Sequence, residues 1–159
     1  MIDHWRTFFT TEVTVAAGLT GLVFVALSIN LAKIITQRVL VDRAGEALLL
    51  LSQPIVLGLT VLAPGSVQTT GITLCAISVA FAIIITSLLV RGRPEEGPMR
   101  RPFWLRAGLV EASLGSVVAG SVLLADGAAA PYGWIGFGAL AGIALGIADG
   151  WVLLIEILR

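Results

Sequence analysis

The charged side chains that interrupt the apolar runs of this chain are the first candidates for chemistry. Three acids, Glu46, Glu111 and Asp149, and two bases, Lys33 and Arg106, lie within or beside those runs. An ionisable side chain inside a bilayer costs about 2.5 kcal/mol or more, so each needs a partner or a function. These five groups predict one of three arrangements. They could form an ion-pair network with one surplus carboxylate, an acid-lined hydrated vestibule for cations or protons, or separate side chains that reach the headgroups.

Uncharged polar residues extend this set. Asn30 lies one helical turn before Lys33, and Gln53 lies two turns after Glu46 on the same helical face. Pro54, next to Gln53, has no backbone N–H, so it leaves the Leu50 carbonyl without its helical donor and permits a kink. The predicted ion pathway or buried polar network therefore comprises Asp149, Glu46, Glu111, Lys33, Asn30, Gln53 and Arg106.

Glu12 is a further acid inside an apolar run, near the N-terminus. Arg6 precedes it by six residues, which is less than two helical turns. We expect the two to pair, because a carboxylate in a membrane helix usually has a cationic partner.

Catalytic groups are scarce. Cys75 is the single cysteine, so no Cys-based metal site can be built within the chain, and His4, the single histidine, leaves little scope for His-dependent catalysis. We find no nucleophile–base pair, no cluster of metal ligands and no phosphate-binding loop. The sequence therefore predicts a protein that is not an enzyme and that carries no metal or cofactor.

Composition identifies the elements that must position these groups. Of the 159 residues, 57% are hydrophobic and 13% charged, where soluble domains have about 25% charged residues. Ten basic residues balance ten acidic ones, which argues against a nucleic-acid partner. Five long apolar runs predict an all-α polytopic membrane bundle in contact with the lipid bilayer. This single transmembrane domain, residues 1–159, has predicted spans at about 8–35, 44–63, 70–90, 105–125 and 134–158.

The distribution of basic residues predicts the orientation. Nine of the ten Lys and Arg residues fall on one side if the chain has five spans, and only Arg6 falls on the other. Since cytoplasmic connections collect basic residues, we expect the N-terminus outside and the C-terminus inside. The same basic connections should contact anionic headgroups. Aromatic rings at the ends of the runs agree with this: Trp5, Tyr132 and Trp134 outside, Phe103 and Trp104 inside.

The fifth run carries a stripe of small residues. Gly138, Gly142, Gly146 and Gly150 recur at four-residue spacing, and Asp149 shares a face with two of them. Helices associate in membranes through close backbone approach, so this stripe predicts a helix-packing face, either within one protomer or between protomers.

The leading functional hypothesis is a homo-oligomeric bundle that forms an ion channel, or a permeation site for cations or protons, with an acidic cytoplasmic half. The alternative is a non-conducting accessory subunit that binds another membrane protein, such as a membrane protease.

Two segments carry a resemblance to a known group. The opening run from Trp5 to Asn30, with Phe8-Phe9, and the ending from Trp151 to Arg159 are similar to small bacterial, largely actinobacterial, multi-span membrane proteins. Some of these are labelled modulators of a membrane-anchored protease. The resemblance implies a bacterial inner-membrane location and no established activity. It also implies a neutral residue, often Asn, at the position of Asp149.

Overall fold

The computed structural model describes residues 2–93, 100–128 and 130–158, and the side chains of residues 4–93, 101–128 and 130–155. The side chains of Arg100 and Arg159, two of the basic residues in the orientation argument, lie outside these residues. All regular structure in the described part is helical. The helices are α1 (Ile2–Ile29), α2 (Leu31–Ile34), α3 (Arg38–Leu62), α4 (Val67–Arg91), α5 (Arg100–Ala125) and α6 (Pro131–Leu158).

Five of the helices are long and apolar enough to cross a membrane, which confirms the predicted class of bundle. The fourth apolar run, which contains Glu111, forms α5 as one continuous helix. At 1.5 Å per residue each long helix extends over about 37–42 Å, more than the roughly 30 Å hydrocarbon core. We therefore treat the chain as a multi-pass membrane protein.

The helix ends differ from the predicted spans. The first span was predicted to be continuous to residue 35, but the chain turns at Asn30 and continues as the short α2. α3 begins at Arg38, six residues before the predicted start at residue 44. Polar residues at a membrane surface can continue a helix, so hydropathy underestimates its length. At α4, Ser66 caps the first turn by accepting a hydrogen bond from the Thr69 N–H at 3.1 Å.

α3 is the central helix. It packs against α1, α4 and α6, while α5 lies between α4 and α6. Pro54 is accommodated inside α3, and the helix is continuous from Arg38 to Leu62 on either side of it. Gly58 of α3 allows close approach of α1, because a Cβ at this position would lie 3.5 Å from the Phe9 carbonyl oxygen and would clash with Val13.

The two ends of the bundle differ in chemistry. At one end, here called the aromatic end, Trp5, Phe9 and Tyr132 stack with ring centroids 5.9–6.2 Å apart. At the other, here called the basic end, Phe103 and Trp104 pair at 5.4 Å near the start of α5. Rings at both ends are typical of a membrane protein, with one set at each interface.

Candidate functional site: a buried ion cluster and an exposed carboxylate

Arg106, Asp149 and Glu46 form one ion cluster that joins three helices. The Arg106 guanidinium of α5 donates two hydrogen bonds to Asp149 of α6, each 2.6 Å long. Its Nη2 also lies 2.8 Å from Glu46 Oε1 of α3, although this contact lacks the alignment of a hydrogen bond. The paired, two-point geometry is the strongest that Arg and a carboxylate can make.

The side chains of this cluster are mostly buried, so the cluster constrains how α3, α5 and α6 pack together. The Glu46 side chain is 3% exposed, that of Asp149 is 10% exposed and that of Arg106 is 22% exposed. Two carboxylates against one guanidinium give the three side chains a formal charge of −1. The positive charge of Arg43, one turn before Glu46, attracts the Glu46 carboxylate and favours its ionised form. Three of the five charged groups in the predicted network thus form an ion-pair cluster with one surplus carboxylate.

The remaining residues of the predicted network lie elsewhere. Asn30 donates from Nδ2 to the Ala26 carbonyl oxygen of its own helix at 2.9 Å, and Lys33 is exposed on α2. Glu111 lies on the outside of the bundle, where it accepts a hydrogen bond of 2.7 Å from the Thr86 hydroxyl of α4. Sequence spacing placed all of these groups near one depth but did not show which way each side chain points.

Glu12 does not pair with Arg6. Glu12 is 4% exposed, and neither of its carboxylate oxygens has a hydrogen-bond partner. Arg6 is exposed, and it lines a cavity of about 390 Å³ at the aromatic end with Trp5 and Tyr132. The predicted pairing is therefore wrong: Glu12 faces the interior of the bundle and Arg6 faces away from it.

The glycine stripe of α6 packs inside the protomer. A Cβ at Gly138 would lie 2.6 Å from the Ser113 carbonyl oxygen of α5, and one at Gly146 would lie 2.8 Å from Leu51 of α3. A Cβ at Gly150 would lie 3.4 Å from Val23 of α1. The stripe thus meets three different helices along its length.

Two serines of α5 complete this packing. Ser113 donates to the Gly138 carbonyl oxygen and Ser116 to the Trp134 carbonyl oxygen, both at 2.7 Å. Such interhelical hydrogen bonds depend on the close approach that glycine permits. α5 therefore uses one small-residue face to hold α6.

The centre of the opposite face of α5 is also small, but it is uncovered, and the large side chains of Trp104 and Leu105 are exposed beside it. Gly108, Ala112, Gly115 and Ala119 are all exposed, and a Cβ at either glycine would meet nothing within 4 Å. Glu111 lies at the edge of this face. The sequence contained both sets of small residues, but their division between an inner and an outer face required the structure.

A cleft at the basic end carries three arginines. It has a volume of about 390 Å³ and lies where the start of α3, the end of α4 and the start of α5 meet. Its lining is Val39, Arg43, Gly92, Arg93, Pro102, Phe103 and Arg106. The combination of guanidinium groups with one aromatic ring suits a phosphate joined to an apolar group.

Comparisons of the chain with protein-family models, with curated proteins and with solved structures gave no match. The resemblance to small bacterial membrane proteins therefore stays a prediction.

Proposed function

We propose that the chain forms a homo-oligomeric cation pore in a bacterial inner membrane, with the outer face of α5 towards the axis and Glu111 as its acidic ring. The observation that carries this proposal is the exposed carboxylate of Glu111. It lies eleven residues into α5, about 16 Å from the start of the helix. That depth is in the hydrocarbon region, where ionisable side chains almost always face protein or water.

The surroundings of Glu111 favour a second copy of this chain as its neighbour. Lipid-facing helices usually present large apolar side chains, whereas the centre of this face presents Gly108, Ala112, Gly115 and Ala119. Small residues permit the close helix contact on which membrane association depends. Because self-association usually gives closed rotational symmetry, the face would place one Glu111 per protomer around a common axis.

An acidic ring at mid-membrane is suited to cations. A carboxylate about 6 Å from a passing cation contributes about 3 kcal/mol at an effective dielectric constant of 20. Asp149 and Glu46 are a weaker basis for a pore, since Arg106 already pairs with both inside one protomer. The proposal thus keeps the predicted acidic permeation site but assigns it to Glu111.

Cation flux into proteoliposomes tests the pore. We expect Glu111→Gln to reduce flux by at least about tenfold, the effect of losing roughly 1.4 kcal/mol of attraction. Asp126→Asn, which removes an exposed acid at the aromatic end, is the matched control and should conduct as the wild type does. A Glu111→Gln protein that conducts normally, or a wild-type protein without flux, would refute the pore.

Oligomeric state is tested separately. Gly115→Leu should convert the oligomer to monomer in detergent, because the added side chain points outwards and leaves the protomer intact. Gly21→Leu, at an equally open glycine on α1, is the matched control. If both variants assemble as the wild type does, the α5 face is not the interface.

The accessory-subunit hypothesis predicts a different result from the same material. A foreign membrane protein, such as a membrane protease, would co-purify in stoichiometric amount and would be lost on Gly115→Leu. A clean homo-oligomer that conducts supports the pore instead.

We also propose that the arginine-lined cleft holds the headgroup of an anionic lipid on the cytoplasmic side. Arg43, Arg93 and Phe103 would meet a phosphate and the start of an acyl chain. Native mass spectrometry should show retained phosphatidylglycerol, lost in the Arg43→Gln/Arg93→Gln double variant. Equal retention by both proteins would count against the cleft.

A further inference from the structure

Gly142 is the one glycine of the α6 stripe at which an added Cβ would have three oxygen atoms as its nearest neighbours. A Cβ at this position would lie 3.5 Å from Gln53 Oε1, 3.5 Å from Ser113 Oγ and 3.6 Å from the Leu50 carbonyl oxygen. These are ordinary van der Waals distances, in contrast to the clashes at Gly138 and Gly146. Packing alone therefore does not require glycine here.

The three oxygens are acceptors with unused capacity. Gln53 is fully buried, and neither its Oε1 nor its Nε2 has a hydrogen-bond partner. Ser113 donates its one hydroxyl hydrogen to the Gly138 carbonyl oxygen, so towards Gly142 its Oγ can only accept. The Leu50 carbonyl oxygen lacks the hydrogen bond that residue 54 would donate in a regular helix, because Pro54 has no backbone N–H.

A buried amide with no hydrogen-bond partner is energetically costly. Three neighbouring acceptor oxygens therefore favour a bound water molecule or ion that interacts with all of them. One water molecule donates only two hydrogen bonds, so it would leave one of the three oxygens unmatched. A bare cation is not limited to two contacts, and carbonyl, amide and hydroxyl oxygens are the ligands of hard cations.

Charge favours a monovalent ion. Glu12 lies ten residues from the start of α1, Gln53 nine residues from the end of α3 and Gly142 eleven residues from the start of α6. At 1.5 Å per residue these positions agree in depth to within about 3 Å. Glu12 is thus a buried carboxyl group without a hydrogen-bond partner at about the level of the oxygens, and its ionised form carries one negative charge.

We propose that Leu50 O, Gln53 Oε1 and Ser113 Oγ, around Gly142, bind a dehydrated Na⁺ ion inside each protomer, with Glu12 as the counter-charge. This site is distinct from the Glu111 ring, and it does not depend on assembly.

The test is thermal unfolding of the purified full-length protein in detergent, with NaCl replacing choline chloride at constant ionic strength. Na⁺ that binds only the folded state should raise Tm with the logarithm of its concentration above Kd, by about 5–10 °C at a hundredfold excess over Kd. Gly142→Ala should fold, because its methyl group fits at ordinary contact distances, and should abolish the Na⁺ effect by occupying the site. Gln53→Leu should abolish it by removing a ligand.

Gly18→Ala is the matched control, since it adds the same methyl group at an open position on α1 and should retain the full Na⁺ response. A Tm that is the same in NaCl and choline chloride would overturn the proposal and leave water as the occupant. A Na⁺ response of equal size in Gly142→Ala would also overturn it, by placing the ion elsewhere. Glu111→Gln should keep the response, so failure of the pore and failure of this site are distinguishable.

Discussion

Arg106 shows how strongly one side chain can constrain a small membrane bundle. It contacts two carboxylates from two other helices, and all three side chains are mostly buried. Separation of charges in a low-dielectric interior costs far more than at a surface. Arg106 therefore fixes the relative positions of α3, α5 and α6 at the basic end.

Arg106→Gln should destabilise the protein by about 3–5 kcal/mol, because it leaves two buried carboxylates without their cation. Reversible unfolding in denaturing detergent measures the change. Arg101→Gln, at an exposed position on the same helix, should have little effect. Adding Glu46→Gln to Arg106→Gln should recover part of the loss, because one fewer charge is stranded. Equal stability of the two single arginine variants would contradict this role.

For individual residues, the sequence predicted which ionisable groups lie within the apolar runs better than it predicted which way their side chains point and which groups they contact. Asp149, Glu46 and Arg106 were identified as deep ionisable groups, since charge is rare in apolar runs. The outward direction of Glu111 and the inward direction of Glu12 were not predictable. Each depends on the rotation of its helix about its own axis, and an apolar run that is hydrophobic all round gives little information about rotation.

At the scale of helices, glycine position decides which pairs approach closely. Gly138 lies against the backbone of α5, while Gly108 and Gly115 lie on the opposite, open face of that helix. The two classes of glycine should therefore respond in opposite ways to the same added methyl group.

Gly138→Ala should lower the free energy of unfolding by about 1–3 kcal/mol, since its Cβ would lie 2.6 Å from the Ser113 carbonyl oxygen and force α5 and α6 apart. Within one protomer Gly115→Ala meets nothing, so for the monomer in denaturing detergent it should be neutral or stabilising, by up to about 1 kcal/mol of helix propensity. The same detergent unfolding assay compares them. If Gly138→Ala is as stable as Gly115→Ala, the α5–α6 contact is looser than described.

Helix number and approximate position were predictable because hydropathy over twenty residues is a strong signal. Helix ends were not, since they depend on local capping such as that by Ser66 and on polar first turns such as the one that begins at Arg38. The division of α5 into a packed face and an open face also required the arrangement of its neighbours.

At the scale of the whole molecule, the basic end and the aromatic end distinguish the two sides of the bundle. The positive-inside rule predicts that the basic end faces the cytoplasm. The helices themselves are consistent with either orientation.

Single cysteines introduced into a Cys75→Ala background can determine the orientation. In intact bacterial cells, a membrane-impermeant maleimide should label Asp126→Cys, in the connection at the aromatic end, and should not label Gly92→Cys, at the basic end. Labelling of both after cell lysis controls for accessibility. The opposite pattern in intact cells would reverse the predicted orientation.

The three-helix ion cluster has a consequence for synthesis. Glu46 precedes Arg106 by 60 residues and Asp149 by 103 in the chain. At about 5–20 residues per second, the ribosome makes Arg106 some 3–12 s after Glu46. During that interval α3 must enter the bilayer with its carboxylate protonated or held by Arg43. α5 and α6 therefore complete, rather than follow, the stable insertion of α3.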